Sequence, residues 1–396
     1  MSNLKIFSEN IKINNKRVIV RLDLNVPISK SSIEDSTRIE MIEPFINQLI
    51  EKKAKIILIS HLGRPKGKVV KEMSLNPIFN YLQKTLNSKV YFYKDKIDQN
   101  AINASNNLKQ GEVLLIENIR FFKEEEDDEE NFAKSLSKLG DFYINEAFSC
   151  SHRKQASLHK ITNYIDSYGG PLLDKETRSI NLIIKNKKEP VTSIIGGSKV
   201  STKINVLLNL SKNTNNLVVV GAMANNFLKF NGLDVGASLL EKEAEDIIKS
   251  IYSSAEKNNC NIIIPIDCVV SNDLNGLPKP KSLSEIKSED IILDIGEKTI
   301  ELINKIIELS KTVFWNGPAG YFENKNFSKG TLAIAKKISS DTDTKSLISI
   351  VGGGDTIAAI KNVEFRKVFT HLSTAGGAFL ESIEGKELPG IKVLKK

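Results

Sequence analysis

The chain has 396 residues, 40% of them hydrophobic and 26% charged, with 34 glycines and prolines together. That composition belongs to a globular protein larger than one core usually supports, and it excludes a disordered, collagenous or low-complexity chain. No apolar run approaches the ~18 residues of a membrane span, the N-terminus lacks a signal-peptide centre, and three cysteines without a C-x-x-C pair offer neither a disulfide framework nor a zinc site, so a soluble cytoplasmic protein is expected.

In chain order, short β-branched runs alternate with stretches of helical period. RVIVRLDL (17–24) is followed by a segment with Ile39, Ile42, Phe45, Ile46, Leu49 and Ile50 on one helical face, then by KIILIS (55–60). The rhythm continues through VLLIEN, DFYINEAF, TSIIGG, LVVVGAM, NIIIPIDC, TVFWNGP, LISIVGGG and VFTHLS. Repeated βαβ units predict an α/β fold with a doubly wound, Rossmann-like parallel sheet in each half. A boundary is expected at Gly169-Gly170-Pro171, followed by one helix that links the halves. The seven consecutive acids Glu124–Glu130 read as a solvated loop or helix entry.

The net charge of +8 comes from 48 lysines and 8 arginines against 48 acids. No basic arm or aromatic-interleaved basic stretch accompanies it, so nucleic acid is not an expected partner. Where lysine is used almost everywhere, an arginine marks a position that needs a planar fork for carboxylate or phosphate. Ligands of open parallel sheets bind beyond the carboxyl ends of the strands. In the first half those ends deliver Arg21, Asp23 and Asn25, then His61 and Arg64, then Arg120, then His152 and Arg153, with Arg38 at a helix start. Such a crowd of guanidinium groups repels itself and calls for a small polyanion.

The second half has neither G-x-x-x-x-G-K-[ST] nor G-x-G-x-x-G, so a P-loop and a dinucleotide fingerprint are both absent. Its phosphate-binding candidates are Gly196-Gly197-Ser198-Lys199 with Lys203, and the strand-turn-helix segment Gly352, Gly353, Gly354, Asp355, Thr356. Asp355 reads equally well as a Mg²⁺ ligand or a helix cap.

Together these motifs resemble the phosphoglycerate kinase family, from Arg17 to Gly390. VRLDLNVP (20–27), SHLGRP (60–65), ENIRF (117–121), NEAFSCSHR (145–153), GGSKVSTKI (196–204), WNGPAGYFE (315–323), GGGDT (352–356) and STAGGA (373–378) follow that family's order and spacing. The resemblance implies a 3-phosphoglycerate-binding domain over 1–170, a linking helix over 171–187, a Mg-nucleotide domain over 188–377, and a tail, 378–396, that returns to the first domain. It implies reversible phosphoryl transfer from 1,3-bisphosphoglycerate to ADP, with Mg²⁺ carried as Mg-ADP or Mg-ATP, small molecules as the only partners, no membrane and a monomer. It places the triose on Arg21, Asp23, Asn25, Arg38, His61, Arg64, Arg120, His152 and Arg153. It places the nucleotide on Lys199, Lys203, Asn316, Glu323 and Gly352 to Thr356, with the metal at Asp355.

The chain departs from the family pattern at Gln155, where a His is common, at Glu146 for Asp, at Ser149 and Ala375 for Gly, and at Ile291 and Ile292 where the family favours Gly. Phosphoryl transfer needs positioning and charge stabilisation rather than a general base, and Arg38 and Lys199 are the residues expected to stabilise the moving group. An NAD-dependent oxidoreductase lacks its glycine fingerprint here. A non-catalytic nucleotide- or RNA-binding protein has only the positive charge in its favour.

Overall fold

A computed structural model describes residues 4–29, 32–361 and 368–395. The chain divides into two compact units, residues 1–177 with 387–396, and residues 178–386.

The first unit is built on strands β1 (Arg17–Arg21), β4 (Lys55–Ile59), β5 (Val90–Tyr93), β6 (Val113–Ile116), β7 (Phe142–Asn145) and β8 (Asp166–Gly169), with a small hairpin, β2 (Ile28–Ser29) and β3 (Ser32–Ile33), set apart. The six strands form one parallel sheet in the order β5-β6-β4-β1-β7-β8. Alternation along each strand splits the apolar residues between two cores. Val18, Val20, Ile56, Leu58, Val113 and Leu115 join one core, which takes the Ile39, Ile42, Phe45, Ile46 and Leu49 face of helix Thr37–Glu51. Ile19, Ile57, Ile59, Leu114 and Ile116 join the other, with Phe132, Ala133 and Leu136 of helix Glu130–Ser137. Both faces of the sheet are therefore closed, and only its ends are left for chemistry.

The second unit repeats the plan with β9 (Val191–Ile195), β10 (Asn216–Val219), β11 (Asn261–Ile263), β15 (Thr312–Asn316), β16 (Ile348–Gly352) and β17 (His371–Ser373), ordered β11-β10-β9-β15-β16-β17 and all parallel. Ile194, Val218, Val313, Trp315 and Val351 belong to one core of this unit. A three-stranded antiparallel sheet, β12 (Asp267–Ser271), β13 (Lys279–Ser282) and β14 (Ile291–Ile295), is added to this frame and was not expected from the strand rhythm.

Helix Pro171–Ile184 begins in the first unit and ends in the second. Its start is fixed by Glu146, whose buried carboxylate accepts hydrogen bonds from Leu172 N at 2.8 Å and Leu173 N at 3.5 Å. The return of the tail starts later than position 378. Helix Gly377–Ile383 stays with the second unit, where Asn209 Nδ2 donates to Ile383 O at 2.5 Å, and residues from Glu387 onward join the first. There Asn145 Nδ2 donates to Gly390 O at 3.3 Å and Gly390 N to Ser151 O at 2.9 Å.

Candidate functional site

The parallel register brings four neighbouring strand ends of the first unit level: Arg21 on β1 pairs with Ile59 on β4 and Asn145 on β7, and β6 lies beyond β4. Their following residues converge. Arg38 Nη1 donates to Asp23 Oδ2 at 2.7 Å and to Asn25 O at 3.2 Å. Asn25 Oδ1 accepts from Gly63 N at 2.8 Å, and Arg120 Nη1 donates to Gly63 O at 2.9 Å, so one turn after β4 is held from two sides. His61 is buried, with Nδ1 3.8 Å from Cys150 Sγ. Its basicity is held well below the usual imidazole value, first by burial and then by the charges of Arg21, Arg120, Arg38 and Arg153. Burial and the neighbouring Arg21 also pull the Arg120 guanidinium down to about 10. Arg153 and His152 are half-buried in the turn after Cys150, and Arg64 is exposed on the loop after β4.

Arg21 is fully buried, and a counter-ion no motif had indicated supports it. Its Nε donates to Ser157 Oγ at 2.8 Å, and Ser157 gives its hydroxyl proton to Glu125 Oε1 at 2.6 Å and its backbone N–H to Glu125 Oε2 at 2.8 Å. Glu125 is itself wholly buried. The acidic run is thus not uniformly solvated: Asp128 is buried too, 2.8 Å from His159 Nδ1. Burial pushes the Glu125 carboxyl up, and the charge of Arg21 opposes that shift, so the two groups are coupled through Ser157. Arg21 Nη2 and Arg120 Nε are buried without a hydrogen-bond partner among the described residues. Orphaned donors of this kind cost ~1–3 kcal/mol each.

In the second unit the ends of β9, β15 and β16 are level, with Ile195, Asn316 and Gly352 in register. Lys203 Nζ donates to Gly196 O at 2.6 Å and to Asn316 Oδ1 at 2.8 Å, and Asn316 Nδ2 donates to Gly352 O at 2.8 Å. One amide therefore ties the two glycine loops together. Gly353 has φ +102°, and a Cβ there would stand 2.6 Å from Asn316 Nδ2, so a side chain is excluded on both counts. Thr356 is buried, its Oγ1 accepting from Gly317 N at 2.7 Å. Burial lowers the Lys203 ammonium to about 8 despite the opposing charge of Asp355. Helix Gly354–Ala359 has no side-chain cap, so of the two readings of Asp355 the capping role finds no support.

A cavity of about 330 Å³ opens beside these loops. Gly197, Gly221, Pro318, Glu323 and Asp355 line one part, and Leu228, Leu239, Leu274, Ile291, Ile292 and Leu293 supply apolar walls. Asp294 in its wall accepts from Gly330 N and Ile295 N, each at 2.9 Å, and burial pushes its carboxyl up to about 7. Lys199 is exposed on the loop after β9. An apolar slot ending in glycine turns and a lysine has the chemistry to hold a flat base at one end and phosphates at the other.

The family model for phosphoglycerate kinase matches residues 8–386. The chain belongs to the phosphoglycerate kinase family. It is 44% identical over 383 residues to the phosphoglycerate kinase of Rhizobium meliloti, covering 96% of each chain, and 43% identical over 390 residues to that of Wolbachia pipientis wMel, covering 98% of each. The solved structure of phosphoglycerate kinase from Coxiella burnetii superposes with a TM-score of 0.91 at 37% identity, and that from Pyrococcus horikoshii OT3 with 0.82 at 28%, each over 98% of both chains. The doubly wound α/β architecture is shared with these structures. The activity that follows from the family is the reversible transfer of a phosphoryl group between 1,3-bisphosphoglycerate and ADP, a phosphotransfer with a carboxyl group as acceptor in the reverse direction. No helix among the described residues is long and apolar enough to cross a membrane.

Proposed function

We propose that the two units divide the substrates of this reaction between them. The triose and its phosphate are held by Arg21, Asp23, Asn25, Arg38, His61, Arg64, Arg120, His152 and Arg153 of the first unit. The nucleotide lies in the cavity of the second, with its phosphates on Lys199, Lys203, Asn316 and the Gly352–Thr356 turn and its ribose near Glu323. The observation that carries this reading is the pairing of an arginine cluster on one sheet with a glycine-lined, largely apolar cavity on the other.

Mg²⁺ fits the residues present, because Asp355 is exposed at the cavity wall with its carboxylate not engaged as a helix cap, and one carboxylate with phosphate oxygens and water is the usual Mg²⁺ set. Bound there, the ion neutralises charge on the nucleotide phosphates. Arg38 stabilises the moving phosphoryl from the triose side through its planar fork, and Lys199 from the nucleotide side as a mobile point charge. Neutral His61 adds a hydrogen-bonding group to the patch without adding to its repulsion. Neither unit completes the constellation alone, so transfer requires the units to close on each other, with the Pro171–Ile184 helix and the chain crossing just before Glu387 as hinges rather than Ser373–Gly377, which lies within the second unit, and closure excludes water from the transferring group.

Small-angle scattering tests this division. The radius of gyration is expected to fall with 3-phosphoglycerate and Mg-nucleotide together and not with either alone. An unchanged radius in an active enzyme with both ligands shown to be bound contradicts it.

A further inference from the structure

Asp23, His61 and Cys150 follow three different strands, β1, β4 and β7, yet each brings one ligand atom to within 4.8 Å of the other two. His61 Nδ1 and Cys150 Sγ are 3.8 Å apart. In a tetrahedral zinc site, bonds of ~2.3 Å to sulfur and ~2.0–2.1 Å to nitrogen set those two atoms ~3.6 Å apart, so little movement would be required. Among the described residues this is the one group of three such ligands. Spacing in the chain could not reveal it, because the cysteine and the histidine are 89 residues apart.

We infer that Asp23, His61 and Cys150 form a site for a soft divalent ion such as Zn²⁺ or Cd²⁺, and that its occupation excludes the triose phosphate. A thiolate and an imidazole select soft or borderline metals over Mg²⁺, which takes oxygen ligands. Three protein ligands leave a fourth position for water. Binding converts the Cys150 thiol to thiolate and releases one proton, so thiolate and carboxylate together offset the two charges of the ion. Two features oppose it: Asp23 must turn from Arg38, 2.7 Å away, and from Ser149 Oγ, and the surrounding arginines repel a cation. The site is accordingly an inhibitory one, open to competition, rather than a permanent structural centre. The other two cysteines, Cys260 and Cys268, are buried in the second unit and have no such companions among the described residues.

Cadmium reports a bound thiolate by its ultraviolet charge-transfer absorption. Titration of the full chain with Cd²⁺ is expected to give a one-equivalent band. Cys150→Ala should weaken Cd²⁺ binding by at least ~100-fold, the upper end of what losing even a group that merely supports a metal ligand costs. Cys150 has no assigned role in catalysis, so Cys150→Ala and Cys150→Ser should retain activity with Mg²⁺ while losing inhibition by buffered free Zn²⁺. Absence of the band in the native protein, or the same band and the same Zn²⁺ response in the native protein and both variants, overturns the site. Competition with the triose rests on the assignment made above and is read separately. Saturating 3-phosphoglycerate should abolish the native band, and if a Cys150-dependent band survives it, the metal site stands and the shared location of the triose falls.

Discussion

Lys203 Nζ lies 2.8 Å from Asn316 Oδ1, and the same Asn316 amide reaches Gly352 O, so the charge proposed for the nucleotide phosphates is positioned by the strand between the two glycine loops. Because burial brings this ammonium down to about 8, the free enzyme loses that charge as pH rises through 8. The Michaelis constant for ADP should therefore climb through this range while that for the triose does not follow it. Lys203→Arg should remove the limb, since a guanidinium stays protonated, although the changed shape will raise the constant at every pH. A pH profile of kcat/KM for ADP checks both statements.

Arg38 is placed by Asp23 and by the Asn25 carbonyl rather than by a substrate, which makes it preorganised. Replacing it with alanine should lower kcat by at least ~100-fold, the scale of one lost electrostatic stabiliser, with the Michaelis constant for ADP nearly unchanged. Lysine at the same position should recover part of the loss. Retention of more than about a tenth of kcat in the alanine variant rules the role out.

Asp355→Asn removes the carboxylate proposed to meet Mg²⁺ and keeps its size. The Mg²⁺ activation curve should shift to higher concentration, with saturating triose making no difference to the shift. Superimposable curves for the native and variant proteins mean that the metal is held elsewhere.

Ser157 transmits the order of Glu125 to Arg21. Without its hydroxyl, Arg21 Nε and Glu125 each lose a buried charge-assisted bond, a loss of ~1.5–3 kcal/mol. Ser157→Ala should raise the Michaelis constant for 3-phosphoglycerate by ~10-fold or more and leave that for ATP alone, and Ser157→Thr should restore it. Equal losses for both substrates would point to a fault of folding rather than of positioning.

The sheet frame was legible because its signal is local. Val18, Val20, Ile56 and Leu58 alternate with Ile19, Ile57 and Ile59 within single strands, and the helix facing them repeats at helical spacing. The strand-end residues were legible for the same reason, since parallel sheets place chemistry at a fixed end. The burial of Glu125 was not, because nothing in seven acids distinguishes the one that Ser157 and Arg21 enclose from its neighbours, and the partners come from distant segments. The β12–β14 ladder was not legible because its strands are only partly buried, and β13 carries Lys279 and Lys281. With it went part of the apolar cavity wall, including Ile291 and Ile292, which a glycine-based family pattern marks only as departures.

The most direct measurement is ATP formation from 1,3-bisphosphoglycerate and Mg-ADP, followed by a coupled assay on the full chain. The account predicts turnover that requires both substrates and falls sharply when either Arg38 or Lys199 is replaced by alanine. Undiminished turnover in both variants, or no ATP formed by the native protein with its two substrates and Mg²⁺ present, contradicts it.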